Sequence, residues 1–421
     1  MRHGFNDMTD VLSNIKSALK LTDLQEQMTA LSRFYYRVEP SRFEKLDPFG
    51  ASYKERVLGV YGEISRNSTY DAAVMEKNDA LDDVDISTCP FPYRFKDSRS
   101  VGEHLMCYGW ILRVLDVRNG ADTLEYGAGE GQLAMHLARM GCNVHAIDIE
   151  PRFLEAIRKQ CDAIGIQIQM RTGKFGDGFD GKKFDRVMFF EAFHHCFEHL
   201  DALMRIRELL KPEGFISFSG EPIMPDNSPD LEVLPYPWGL RLDGESVRSI
   251  AEFGWMELGY SEGYFVELLA RAGYSTEVMR CPGAWRADTY IGRPFDTRYP
   301  VERNTLIRVY SGDAGWYDSE GTHRWTNGHA LFPLPHLGHR KVKVGLSNLG
   351  PGRTCVAISC QDRSSERRIA SGETTFMTID LPDQPGNLHI DSDTFQPSVV
   401  SQGSSDTRVL GVAVNSIEFL M

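Results

Sequence analysis

Three glycines, Gly127, Gly129 and Gly131, stand within five residues of the stretch LEYGAGEGQLA, with Ala128 in the same turn. A strand that enters such a run and leaves it as a helix brings backbone N–H groups and a helix N-terminus onto one ligand. Glycine lets the backbone turn tightly and touch that ligand, because no side chain intervenes. The alternative is a tight strand-to-helix turn that holds nothing. Asp148 follows 21 residues after Gly127, at the end of HAIDIE. A carboxylate there is placed to accept hydrogen bonds from the two hydroxyls of a ribose. The ligand expected is therefore one that carries a nucleoside.

Farther along, EAFHHCFEH offers Glu191, His194, His195 and His199, and SGEPI offers Glu221. Imidazole titrates close to neutral pH, so His194 and His195 are the first candidates for a general base. Glu221 is the second, as a base or as a binder of a hydroxyl. Plainer roles stand beside these: a His that packs or caps the next helix, His199 as an exposed helix residue, Glu221 as a loop carboxylate capping a turn. Glu191, His194 and His195 are loosely spaced for a metal, and no HExxH or second acidic cluster supports one; no metal is expected. The insertion PYPWGLRLDGES holds Tyr236, Trp238, Arg241 and Asp243 without helical period. Such a stretch is uncommon unless it covers a site. Aromatic faces with Arg and Asp suit a polyhydroxylated ligand, so these four are expected to bind substrate as a lid. Otherwise Trp238 anchors the loop to the core.

The elements that must position these residues follow from apolar spacing. From about residue 8 to 85 the text is helical in period, as in VLSNIKSALKLTDLQEQMTALSRFYYRV. Between about 100 and 290, short apolar strands alternate with helices: DTLEYG, then GQLAMHLARMG ending on Gly141, NVHAIDI, PRFLEAIRKQCDAIG, IQIQMRT, FDRVMFFEA, HLDALMRIRELL stopped by KPEG, and GFISFSGE. This rhythm predicts an α/β fold, a doubly wound Rossmann-like parallel sheet whose strand ends lie along one ligand-binding edge. Beyond about 300, short alternating runs such as KVKVGLSN, TCVAISC and TTFMTIDL are separated by turns, which predicts an all-β module, a sandwich or jelly roll. The domains expected are a helical N-terminal segment over 1–99, the core with its substrate lid over 100–295, and the β-sandwich-like C-terminal domain over 296–421.

Composition limits the partners. The 421 residues are 42% hydrophobic and 25% charged, enough for sizeable cores. A net charge of -13 leaves no basic excess to neutralise phosphates, so nucleic acid is not expected as partner. No run of eighteen apolar residues appears, and MRHGFNDMTD has no signal-peptide core, so the expectation is a cytoplasmic protein without a membrane span. The eight cysteines form no CxxC pair and read as reduced structural thiols.

Dinucleotide folds use GxGxxG, whose third glycine would fall at Gln132; this chain has GxGxG. With Glu125 two residues ahead of the first glycine, the stretch resembles the first motif of class I S-adenosylmethionine-dependent methyltransferases. The resemblance continues in order through Asp148, FDRVMFFEAFHHCFEHL and LLKPEGFISFSGEP, covering roughly 100 to 220. It implies S-adenosyl-L-methionine as cofactor, with the glycine turn on its amino acid part, Glu125 toward its amino group, Asp148 on the ribose and Ile149 packed on adenine. Glu191 joins this cofactor set. Relatives often carry an Asp after the third strand that reads adenine; here Lys174 stands near that place, and Asp177 or a backbone amide is left to take the role. Tyr93, Arg94, Glu103 and His104, just ahead of the core, are in the region that often closes such a pocket.

Over its whole length the chain is similar to methyltransferases encoded among bacterial polysaccharide-assembly enzymes. The resemblance rests on VGEHLMCYGWIL, the glycine and acidic motifs, PYPWGLRLDGES, FGWMELGYSEGYFVELLARAGY and, in the tail, GWYDSEGTHRWTNGHALFPLP and IDSDTF. It implies O-methyl transfer to a sugar hydroxyl of a glycan or nucleotide-linked sugar, with a His or Glu base. The partners implied are that acceptor and either a second copy of the chain or glycan-assembly enzymes. Trp316, Tyr317 and Trp325 are either a sugar platform or core aromatics. Two other readings compete: a methyltransferase for another small-molecule or lipid-linked acceptor, and a vestigial methyltransferase that serves as a glycan-binding scaffold.

Overall fold

A computed structural model describes residues 2–22, 24–67, 69–77, 89–401 and 403–421. The stretch of the helical N-terminal zone from 78 to 85 lies outside the described residues. The chain divides into two compact units: Met1–Glu262 with Met279–Thr289, and Gly263–Val278 with Tyr290–Met421.

The first unit opens with β1 (His3–Phe5), α1 (Met8–Ala18), α2 (Leu24–Leu31), β2 (Phe34–Tyr36), α3 (Ala51–Ser65), α4 (Ala72–Met75) and α5 (Ser98–Leu115). The helical period of the sequence is thus realised, except that β1 and β2 pair in parallel within it. The side chains of Asp7, Asp71 and Asp97 cap α1, α4 and α5 by accepting backbone N–H groups of the first turn.

The core follows as β3 (Asp122–Tyr126), α6 (Gln132–Arg139), β4 (Asn143–Asp148), α7 (Pro151–Ile164), β5 (Gln169–Thr172), β6 (Phe184–Phe190), α8 (His199–Arg207) and β7 (Leu210–Ser219). Within this unit five strands run parallel in the order β7-β6-β3-β4-β5. The chain winds outward from β3 through β4 to β5, then returns to the other side of β3 with β6. The crevice at a parallel sheet's reversal point is where ligands bind, and here it opens at the ends of β3 and β6, where Gly127 and Glu191 stand. The strands are buried runs, as a covered parallel sheet requires: Leu124, Ala146, Val187, Met188 and Ile216 have no exposure. The KPEG expected to stop a helix instead lies inside β7, next to a register shift between Phe184 and Arg186.

After the core come β8 (Ile223–Met224), β9 (Trp238–Leu240), α9 (Gly244–Phe253) and β10 (Leu258–Ser261). They form a small sheet ordered β8-β10-β9. The stretch PYPWGLRLDGES therefore contains a strand and a helix start, not an unstructured lid.

The second unit contains a five-strand path, Trp316–Ser319, Arg324–Thr326, Ala413–Leu420, Lys341–Ser347 and Thr374–Asp380, antiparallel between neighbours. A second antiparallel sheet runs His329–Pro333, Asn387–Ser392, Thr354–Cys360 and Arg363–Ile369. Alternation places Val342, Val344 and Leu346 from one sheet, and Val356, Ile358 and Ile390 from the other, in one buried core. Within 296–421 the described residues carry one helix, the short Pro397–Val400, beside these strands, while the unit as a whole also extends back before that range. There it includes most of the helix Glu262–Arg271. Trp325 is buried, and Trp316 and Tyr317 bond through Nε1 and the phenol to the backbone carbonyls of Leu331 and Val409. Trp325 is thus a core ring, while Trp316 and Tyr317 are half-buried and anchored by these bonds.

Candidate active site

A cavity of about 630 Å³ lies in the first unit at the strand ends. Gly127, Gly129, Asp148, Ile149, Phe153 and Gly173 line one part of it, and Tyr70, Asp71, Glu76, His195, Phe197 and Trp255 are among the residues lining the rest.

The three glycines have different physical reasons. All have positive φ, at 62°, 50° and 75°, a region that disfavours side chains. A Cβ on Gly127 would lie 2.6 Å from Ala192 Cβ, and one on Gly131 would lie 2.6 Å from Ile157 Cγ1. At Gly129 a Cβ would meet nothing within 4 Å. Gly129 is thus the position where backbone is bared to open space, whereas Gly131 serves the packing of α6 on α7. Ala128 is buried, and neither it nor Gly131 lines the cavity.

Asp148 ends β4 and is 5% exposed. Its Oδ2 accepts from Gly129 N–H and its Oδ1 from Glu150 N–H, both at 2.9 Å. Burial pushes its carboxyl up to about 6, against the pull of those amides. Each oxygen retains a lone pair for a hydroxyl in the cavity. Glu125, on β3, is 4% exposed, and its Oε2 has no hydrogen-bond partner. Burial, and then the charge of Asp148, push it up to about 8, against an opposing backbone hydrogen bond. A buried carboxylate oxygen without a donor is costly unless a ligand supplies one. Ile149 and Phe153 give the cavity an apolar wall. Asp177 accepts from Lys174 N–H at 2.9 Å and so ties the turn after β5, while it and Lys174 both line the cavity.

Glu191 follows β6 with a φ of 51°, lines the cavity and pairs with Arg286. The next residues separate the base candidates. Glu221 is fully enclosed and accepts the backbone N–H groups of Ala192, Phe193 and His194 at 2.9, 2.8 and 3.0 Å, and His194 Nδ1 at 2.9 Å. Four donors occupy it, so it holds the turn Phe193–His195 and is not a base. His194 lies behind the cavity wall, between Glu221 and Glu257, whose Oε2 is 3.9 Å from Nε2. Burial holds its pKa well below the ordinary imidazole value. His195 lines the cavity, and its Nδ1 lies 3.1 Å from Glu76 Oε2. Burial disfavours its charge, but Glu76, then Glu257 and Glu221, overcome that and raise it to about 9. His195 therefore rests as a cation at neutral pH. His199, expected on the surface, is 2% exposed and edge-on to Trp238, with ring centroids 4.6 Å apart. Burial drives it down to about 3.

The expected substrate residues of the insertion do not reach the cavity. Trp238 has no exposure; its Nε1 donates to Pro48 O at 2.9 Å, and its carbonyl accepts Tyr53 OH at 2.7 Å. Asp243 caps α9 through Ser246 N–H at 3.1 Å. Arg241 is paired with Glu257, and Tyr236 is 47% exposed away from the cavity lining. An amphipathic-looking insertion reads as a lid only if its large ring has nowhere to bury, and Trp238 has a core to enter. Of the pre-core residues, Arg94 pairs with Glu130 on the glycine turn, Glu103 pairs with Arg99, and His104 is buried; Tyr93 is exposed, and none lines the cavity.

Of the other residues that line it, His195 and Lys174 were singled out in the sequence, and Tyr70, Glu76 and Trp255 were not. Tyr70 and Glu76 flank α4, with Tyr70 OH donating to Glu76 Oε1 at 2.6 Å. Trp255 stands edge-on to His195, with centroids 6.2 Å apart. Lys174 Nζ is 3.7 Å from Asp71. The only local signal was Asp71 as a helix cap. Among the described residues no group of three His, Cys, Asp or Glu is arranged to hold a metal ion, and no helix is long and apolar enough to cross a membrane.

Residues 124–218 match the family model of a methyltransferase domain. Over 106 residues the chain is 31% identical to the ubiquinone biosynthesis O-methyltransferase of Actinobacillus pleuropneumoniae, a match covering 24% of this chain and 45% of that protein. Over 98 residues it is 34% identical to the protein of the same name from Cereibacter sphaeroides, covering 23% and 40%. The chain thus spans less than half the length of these relatives. A solved 1,6-didemethyltoxoflavin-N1-methyltransferase from Burkholderia thailandensis, with S-adenosylhomocysteine bound, is 19% identical with a TM-score of 0.35, covering 48% of this chain and 84% of that one. The family match identifies residues 124–218 as a methyltransferase domain, and the glycine turn and acidic strand end lie inside it.

Proposed function

We propose that the whole chain is an S-adenosylmethionine-dependent O-methyltransferase whose acceptor is a sugar hydroxyl, on a glycan or a nucleotide-linked sugar. One observation carries the reading: a single cavity has Gly129 and Asp148 in one wall and His195 in another. The residues fit the cofactor. Asp148 suits a ribose, and Ile149 and Phe153 suit a flat base; Glu125, expected toward the amino group, is buried with a donorless Oε2 and is not among the residues lining the cavity. When bound, S-adenosylmethionine supplies a methyl group on a ready leaving group.

The chain itself must align the acceptor and take its proton. His195 is the imidazole that lines the cavity, so it is the proton acceptor in this reading, while His194 and Glu221 build the wall behind it. Since His195 rests as a cation, turnover should climb as pH rises toward about 9. Tyr70, Phe197 and Trp255 offer faces for the C–H surfaces of a sugar, and Asp71, Lys174, Glu198 and Arg205 offer partners for its hydroxyls. The matched relatives' names support oxygen as the accepting atom. In this reading residues 1–99 and 100–295 build the site, the β-rich residues 296–421 serve the glycan context, and the protein works in the cytoplasm beside glycan-assembly enzymes.

The test is calorimetric titration with S-adenosylhomocysteine, with NAD as control, followed by incubation of S-adenosylmethionine with a panel of sugars and nucleotide sugars. Binding of the first ligand alone and a methyl mass gain on a sugar support the reading. Turnover of phenols but no sugar would remove the sugar acceptor.

A further inference from the structure

We infer that Glu76 is a positioning residue, supplied from outside the methyltransferase domain, that fixes His195 by its Nδ1 so that Nε2 serves the acceptor. The inference rests on His195 being the proton acceptor. It starts from how completely Glu76 is held. Its Oε1 accepts Tyr70 OH at 2.6 Å and Met256 N–H at 2.7 Å, leaving Oε2 for His195 Nδ1 at 3.1 Å. Tyr70, Glu76 and His195 all line the same cavity. A carboxylate tied by two donors on one oxygen has no freedom to leave the imidazole on the other. Burial and the adjoining Glu76 charge raise the Tyr70 phenol above its ordinary value, so Tyr70 is a donor throughout the working range.

The arrangement does two things at once. It holds the ring in one plane, edge-on to Trp255 and 4.3 Å in centroid distance from His194. His195 Nδ1 is 3.1 Å from Glu76 Oε2 as an ion pair without hydrogen-bond alignment, so it is through its charge that the carboxylate favours a proton on Nδ1 and proton loss from Nε2. The proton then taken from an acceptor hydroxyl goes to Nε2 as the hydroxyl oxygen forms its bond to the methyl carbon, and the carbon–sulfur bond breaks with its electron pair left on sulfur. The charged and titratable groups acting on His195 are Glu76 from the turn after α4, His194 beside it, Glu221 after β7 and Glu257 before β10. Only Glu76 makes a direct ion pair with it among the described residues.

The experiment uses the full chain with Glu76→Gln, which keeps an oxygen for Tyr70 OH and Met256 N–H, and with Tyr70→Phe as the milder variant. His195 is followed by NMR of labelled imidazole, its signal identified by loss in His195→Gln, and the pH–rate profile is measured with S-adenosylmethionine and the best sugar acceptor. Expected are a His195 titration that moves down by a unit or more in Glu76→Gln and by less in Tyr70→Phe, a rate profile that moves the same way, and unchanged affinity for S-adenosylhomocysteine. A His195 titration that stays in place in Glu76→Gln overturns the role of Glu76. A titration that moves while the rate profile does not overturns His195 as the base, and the proposed mechanism with it.

Discussion

Replacing Asp148 should separate cofactor recognition from the integrity of the glycine turn, because one carboxylate serves both. In Asp148→Ala the hydroxyl acceptor disappears, and the N–H groups of Gly129 and Glu150 lose their 2.9 Å partners. Loss of hydrogen bonds to a charged group should weaken S-adenosylhomocysteine binding by about 1–3 kcal/mol, or about 5-fold to 150-fold. Asp148→Asn is not a neutral control. A carboxamide has one acceptor oxygen for two N–H groups, so its NH2 must face one of them, and about 1–3 kcal/mol of folding stability is at stake for the unpaired donor. The loss is offset in part because a buried charge, whose carboxyl already sits up near 6, is removed. Calorimetry should therefore find weaker binding in both variants, and thermal unfolding a lowered Tm in Asp148→Ala. The pH dependence gives a second reading: wild-type affinity should decline as pH falls through about 6, where Asp148 takes up a proton, and Asp148→Asn should lack that decline. Unchanged affinity in Asp148→Ala would refute the assignment of the ribose to this residue.

The glycines should divide in the same assays. Gly129→Ala puts a methyl into open cavity space and costs about 1–2 kcal/mol of backbone strain, so cofactor binding should fall far more than stability; Gly131→Ala, whose Cβ would press on Ile157, should do the reverse. Trp238→Ala should destabilise the fold by about 3–5 kcal/mol in denaturant unfolding and leave acceptor selectivity unaltered, whereas Trp255→Ala should raise the acceptor KM with little change in Tm. Since His195 is raised from 6.5 to about 9 in the folded protein, the stability it contributes is complete below 6.5 and is lost as pH rises through 9. Thermal unfolding across that window should show the decline in wild type and a weaker one in Glu76→Gln.

The Gly129–Asp148 wall of the cavity was legible because its spacing is forced by topology. A strand, a tight turn and the next strand end must lie within about twenty residues, so Gly129 and Asp148 could be paired by counting. The core strands were legible for a similar reason, as buried parallel strands have few sequence forms. The opposite wall was legible only at His195. Glu76, His195 and Trp255 come from three separated segments, and each has an ordinary environment in the sequence. Residue type misled at Trp238 and Asp243: an indole and a carboxylate in a Pro- and Gly-rich stretch suit a ligand, but they equally suit a buried anchor and a helix cap. For His194 and Glu221 the types were right for proton transfer and the surroundings were wrong, since four donors on one carboxylate cannot be read from spacing.

The interleaving of the two units bears on how such a protein can be cut. The chain leaves the first unit at residue 262, returns at 279 and leaves again after 289. A β-rich tail joined at one junction would be removable by one cut, with each gene fragment encoding a folded product. Here a stop after residue 295 would remove the two antiparallel sheets but keep Gly263–Val278, so the cut would fall inside the second unit rather than between the units. No single cut along the chain therefore separates the two units.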